Sequence, residues 1–230
     1  MPYQFNDPMP IINMGERHIP AVLLVDTSGS MSGSPIAELN QGLVEFGQAL
    51  QDDSLALGRA EVCIISFNSS VQTEMSFRPA ADYEAPVLQT SGCTSMNEAI
   101  IAGLDALEAR KAEYRANGVQ YYRPWLFLLT DGAPTDSSME STAKARLQHD
   151  IDNKKVTFMP MGIGGADTAK LQSYYPASAN ARPVLKANAS NFKEAFVWLS
   201  ASIAQISNSD PRNTSEVTTP PVPTCLTIGI

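Results

Sequence analysis

Uninterrupted apolar runs alternate along this chain with stretches in which apolar residues return every three or four positions. Ala21-Val22-Leu23-Leu24-Val25, Val62-Cys63-Ile64-Ile65, Trp125-Leu126-Phe127-Leu128-Leu129 and Val156-Thr157-Phe158-Met159 lack the alternation of a half-exposed strand. They read as strands covered on both faces, the kind found inside parallel sheets. Between them, Ile36, Leu39, Leu43, Phe46 and Leu50 form one helical stripe behind Ser34-Pro35, which reads as an N-cap followed by a first-turn proline. Gly58 is expected to close the loop after that helix. A second helix follows Ser95, whose spacing to Glu98 suggests a capping box. It carries Ile100, Ile101, Leu104 and Leu107, then a charged run, Glu108, Arg110, Lys111, Glu113 and Arg115, expected to be a solvated face. A polar helix is expected over 138–153, a short one over 169–174 and a final one carrying Phe192, Phe196, Leu199, Ile203 and Ile206.

Val71, Thr73 and Met75 alternate with polar residues, so the third strand is expected to return antiparallel as an edge, and a short strand is expected over 184–186. This order predicts a doubly wound α/β fold: a mostly parallel six-stranded sheet, one antiparallel edge strand, and helices on both faces. The expected organisation is an irregular N-terminal arm over 1–17, an α/β domain over 18–207, and a flexible Ser/Thr/Pro-rich tail over 208–230. The apolar ending Cys225-Leu226-Thr227-Ile228 offers a further strand as an alternative.

Composition changes this picture little. A chain of 230 residues with 43% hydrophobic residues suits one large domain. A formal net charge of −8 argues against nucleic acid or an anionic membrane as the main partner. The three cysteines, Cys63, Cys93 and Cys225, form no CxxC pair, so no disulfide framework or zinc knuckle is expected. Cys63 reads as a small core residue. Cys93 reads as a buried thiol, with a redox-sensitive thiol as the alternative. The start carries no signal-peptide pattern and no apolar run reaches membrane-spanning length, so a cytoplasmic location is expected.

Candidate chemistry lies at strand ends. Asp26, Ser28 and Ser30 alternate after the first strand, with Gly29 between the serines. Hard oxygen donors in this arrangement suggest a divalent cation, Mg²⁺ first. The competing reading is a turn whose Asp and Ser cap the next helix. Thr94 and Asp131 occupy two later loops, and strands one and four would flank the point where the winding reverses, bringing the three loops together.

The set Asp26-Thr27-Ser28-Gly29-Ser30, Thr94 within Ser91-Gly92-Cys93-Thr94, and Asp131 within Leu129-Thr130-Asp131-Gly132 resembles the von Willebrand factor A domain and its metal-ion-dependent adhesion site. The resemblance covers about 18–206. It implies a Rossmann-like fold in which Ser28 and Ser30 bind the metal directly, Thr94 directly or through water, and Asp26 and Asp131 largely through waters. It further implies Mg²⁺, with Mn²⁺ or Ca²⁺ as alternatives, and a protein partner whose Asp or Glu completes the coordination. Ser34 to Asn40, Tyr121 to Trp125 and Thr130 to Asp136 are similar to the bacterial TerY/YegL-type members. That likeness implies a tellurium-resistance or stress setting with a kinase or phosphatase as companion.

Around the site, Met31 and Pro134 read either as an exposed apolar rim for the partner or as loop packing. Asp136 reads either as negative field near the ion or as a local turn residue. Catalysis is not expected. Gly29-Ser30-Met31-Ser32-Gly33 places methionine where a nucleophile elbow needs serine. The two histidines, His18 and His149, lie before the first strand and in a polar helix, away from the loops that would need a general base. A Mg²⁺-dependent phosphatase or ATPase, or a scaffold whose metal is only structural, are the alternative readings.

Overall fold

The structure is a computed structural model that describes residues 10–175, 182–187, 192–207, 220–224 and 226–228. Its strands are β1 (Ile19–Asp26), β2 (Ala60–Phe67), β3 (Val71–Pro79), β4 (Trp125–Thr130), β5 (Thr157–Ile163), β6 (Leu185–Ala187) and β7 (Thr227–Ile228). Its helices are α1 (Ser34–Asp52), α2 (Ser54–Arg59), α3 (Met96–Ala116), α4 (Glu140–Asp152), α5 (Thr168–Gln172) and α6 (Phe192–Ser207). The sheet runs in the order β3-β2-β1-β4-β5-β6-β7. All six predicted strands form, with β3 antiparallel on β2 as expected. β1 pairs in parallel with both β2 and β4. The chain therefore builds one half of the sheet outward from β1, then returns to build the other half from β4. The crevice at this reversal opens beyond Asp26 and Thr130.

β1 is buried along its whole length because it feeds two cores. Ile19, Ala21, Leu23 and Val25 pack with the stripes of α1 and α6, including Leu43, Phe46, Phe196 and Ile203. Val22 and Leu24 face α3 and α4 through Ile100, Leu104 and Leu147. A period-2 backbone with both faces covered requires an unbroken apolar run. Among the described residues no helix is long and apolar enough to cross a membrane.

Several expectations are corrected. Ser34 does not cap α1. It is already helical, and the preceding Gly33 takes φ 87°, a left-handed conformation that a side chain would strain. Gly58 lies inside the short helix α2, which starts where Asp53 accepts from the N–H groups of Leu55 and Ala56 at 3.0 and 2.8 Å. The charged run of α3 is not wholly solvated, since Arg110 and Lys111 are buried. Their turns cross the amino end of β2, where buried Glu61 takes Arg110 as counter-ion at 2.6 Å. The predicted flexible tail is partly packed. Trp198 Nε1 donates to Pro220 O at 3.2 Å, Leu226 is buried, and β7 pairs antiparallel with β6. Isolated apolar residues in a polar stretch found the uncovered edge of the sheet, whereas 208–219 lie outside the described residues. In the N-terminal arm, Ile11 packs on Tyr114 and Val119, and residues 1–9 lie outside the described residues.

Candidate metal-binding site at the sheet reversal

Four loops beyond the carboxyl edge are tied together by main-chain bonds. Gly29 N–H donates to Gly92 O at 3.0 Å and Ser91 N–H to Thr27 O at 2.9 Å, fastening the loop after β1 to the loop before α3. Thr135 N–H donates to Thr94 O at 2.9 Å, fastening that second loop to the loop after β4. Ser95 N–H donates to Asn68 O at 2.7 Å, joining the turn between β2 and β3 to the same frame.

Within this frame the five predicted ligand residues come together. Asp26 is 0% exposed, and its Oδ1 accepts from Ser28 N–H at 2.8 Å. Its Oδ2 accepts from the Thr130 hydroxyl at 2.5 Å. The Ser28 and Ser30 hydroxyls lie 3.1 Å apart, and Ser30 Oγ donates to Asp131 Oδ1 at 2.7 Å. Gly132 places Thr94 in the same space. A Cβ built on Gly132 would stand 3.6 Å from Thr94 Oγ1 and 3.9 Å from Ser30 Oγ. The missing side chain thus keeps open a cradle between hydroxyls from two loops.

Burial pushes the pKa of Asp26 above the usual carboxylate range. The hydrogen bonds from Ser28 and Thr130 oppose that, and the charge of Asp131 adds to it. Its hydrogen-bond donors, the Ser28 N–H and the Ser28 and Thr130 hydroxyls, are all neutral. Two carboxylates and three hydroxyls around an open cradle are a hard oxygen set, suited to Mg²⁺ and unsuited to softer metals. Among the described residues no group of three or more His, Cys, Asp or Glu gathers as a metal cluster. The donors that fit a cation here are mostly hydroxyls.

The predicted partner-facing residues fare differently. Met31 is fully buried in the core shared by α1 and α6 and forms no exposed rim. The tight turn over Gly29–Met31 folds its thioether inward, where apolar burial outweighs display. Pro134 is half-buried beside the exposed Ala133. Asp136 opens a local turn through its main chain, its carbonyl accepting from Met139 N–H at 3.0 Å, and its carboxylate is engaged elsewhere than at the ligand set. It accepts from Glu98 N–H at 2.8 Å and from Asn97 N–H at 3.3 Å, capping α3 from a neighbouring loop. Ser95 makes no side-chain cap, so the predicted capping box is replaced by this carboxylate, whose charge suits a helix N-terminus. Cys93 is exposed, not buried, while Cys63 is buried and its thiol is pushed up to about 12 by burial.

Thr130, Thr135 and Asn97 were not singled out from sequence. Thr130 was legible as the one polar residue ending an apolar strand, but its partner Asp26 is 104 positions away.

A comparison with protein families matches the von Willebrand factor type A domain over residues 21–197. No curated protein matches the chain in a sequence comparison. Among solved structures, the ArnB paralog VWA2 from Sulfolobus acidocaldarius is similar at TM-score 0.56 and 21% identity, over 79% of this chain and 44% of that one. The pilus adhesin SpaC from Lactobacillus rhamnosus GG, in its open conformation, is similar at TM-score 0.60 and 16% identity, over 83% of this chain and 30% of that one. The SpRpn10 VWA domain is similar at TM-score 0.54 and 15% identity, over 87% of this chain and 100% of that one. The chain thus spans less than half the length of the first two, and at these identities the likeness is one of fold.

Proposed function

Because the chain belongs to the von Willebrand factor type A domain family, we propose that it is a protein-binding module whose hold on its partner depends on a divalent cation. Asp26, Ser28, Ser30, Thr94 and Asp131 would hold the ion, Mg²⁺ first, with Mn²⁺ or Ca²⁺ as alternatives. An acidic side chain of the partner would complete its coordination, gaining a charge-assisted contact away from bulk water. The observation that carries this reading is the cradle at Gly132. Hydroxyls from two loops face it, and it lies beside a buried Asp26 whose hydrogen-bond donors are neutral. Binding by this family fold in a pilus adhesin is in keeping with it.

The module is read as a binder and not an enzyme. His18 is paired with Glu61 at the amino end of the sheet, and His149 is exposed on α4, so neither serves the cradle. The similarity of Thr130 to Asp136 and the two other stretches to TerY/YegL-type chains supports a cytoplasmic bacterial stress or tellurite-resistance role with a kinase or phosphatase as partner, and the net charge of −8 argues against nucleic acid or an anionic membrane as that partner.

The test is capture of partner proteins on the immobilised chain with Mg²⁺, with EDTA, and with Asp26→Ala. Capture that depends on Mg²⁺ and is abolished by the substitution is expected. Capture undiminished by both treatments would overturn the proposal.

A further inference from the structure

Thr94 is the one ligand its loop contributes, and its main chain is fixed by a single residue of another loop. Thr135 N–H donates to Thr94 O at 2.9 Å. The Thr135 hydroxyl donates to the same carbonyl at 3.2 Å and accepts from Thr94 N–H at 3.0 Å. Both main-chain groups of Thr94 are therefore satisfied by a residue four positions after Asp131. Thr94 Oγ1 takes no part in this bonding and faces the cradle at Gly132.

The clamp stands on a buried polar footing. Asn97 is fully buried and donates its amide to Asp136 Oδ1 at 2.8 Å and to Asp136 O at 3.1 Å. Its own oxygen accepts from the Tyr174 hydroxyl at 2.6 Å. Asp136, next in the chain to Thr135, is thus gripped by the start of α3, which immediately follows the Thr94 loop. The loops after β4 and before α3 are joined at two consecutive residues, 135 by its hydroxyl and 136 by its carboxylate.

The geometry points to Thr135 as a positioning residue that locks Thr94 to the Asp131 loop, so that both present their oxygens to a cation as one unit. This inference rests on the metal-dependent reading above. A neutral hydroxyl is a weak ligand, and its contribution depends on being held in place before the ion arrives. Valine at 135 would keep the side chain's shape and the main-chain donor, but would leave Thr94 N–H without its acceptor. Serine would keep both hydroxyl bonds. The position is exposed, so neither change disturbs the core.

The experiment is isothermal titration of the full chain with MgCl₂ for the wild type, Thr135→Val and Thr135→Ser, with thermal melting in EDTA alongside. The expected result is Mg²⁺ affinity lowered roughly tenfold in Thr135→Val, restored in Thr135→Ser, and coincident melting of all three in EDTA. Wild-type affinity in Thr135→Val, with the wild type binding normally, would overturn the positioning role and leave the metal reading standing. Loss of affinity matched by a lower melting temperature in EDTA, or failure of serine to restore it, would also overturn that role. A wild type that takes up no Mg²⁺ would overturn the metal reading and the role of Thr135 with it.

Discussion

Two carboxylates are buried at opposite ends of neighbouring parallel strands, and they are treated in opposite ways. Glu61, at the amino end of β2, is 1% exposed. It is met by Arg110 Nε at 2.6 Å, the Tyr114 hydroxyl at 2.5 Å and His18 Nδ1 at 3.1 Å. Burial alone would raise its pKa, but the hydrogen bonds from His18, Arg110 and Tyr114, with the charge of Arg110, outweigh that and hold it below the usual range. Asp26, at the carboxyl end of β1, has neutral donors and a second acid nearby, and burial pushes it up. A buried charge is tolerable when a counter-charge is supplied. The protein supplies one for Glu61 from its own α3. At Asp26 it supplies, among the described residues, hydroxyls and no cationic donor, the arrangement that the proposed cation would balance.

The comparison breaks most visibly at Arg110. Arg110→Met leaves Glu61 buried without its main counter-charge and is expected to cost about 3–5 kcal/mol in urea unfolding. An effect under 1 kcal/mol would show that the amino-end cluster is not self-balanced. A pH titration of stability sharpens the contrast next. The folded pKa of Glu61 lies below its unfolded value, about 4.3. Its contribution is therefore present above that unfolded value and is lost as pH falls through the folded pKa. Denaturant midpoints measured down through this window should fall less steeply in Glu61→Gln than in the wild type. The smallest effect on stability is expected at the other carboxylate. Asp26→Asn in EDTA should change unfolding free energy by less than about 1 kcal/mol, since the amide can still accept from Ser28 and the burial cost of a charge is removed. The same substitution should abolish the stabilisation that added MgCl₂ gives the wild type. A large loss in EDTA would mean that Asp26 is structural in the way Glu61 is.

How much of this was legible beforehand depends on the range of the interaction. The apolar run of β1 and the stripes of α1 and α6 gave the sheet, its reversal and its two cores, because burial on both faces leaves a local mark. The candidate ligand residues Asp26, Ser28 and Ser30 stand together in the chain, and Thr94 and Asp131 each lie in a recognisable local pattern. Met31 stays open between rim and packing in the sequence, because a rim residue and a core residue look alike in a loop, and its full burial decides for packing. Arg110 was misread because its neighbours in α3 are charged while its partner, Glu61, is 49 positions away. Local spacing assigns the capping of α3 to Ser95 just before the helix, yet Asp136 performs it across a gap of 38 residues.

The sequence by itself therefore determined which segments become strands and helices, the order in which they wind, and which side chains carry hard oxygens at strand ends. Hydrophobic periodicity and short motifs act over a few residues, and a single chain displays them openly. Only the tertiary structure decided which charges are balanced and which are left open. That outcome turns on side chains brought within 3 Å of one another from segments far apart in sequence, such as Glu61 and Arg110. The water around an extended chain gives each of those groups the same partners, and folding is what makes their surroundings differ.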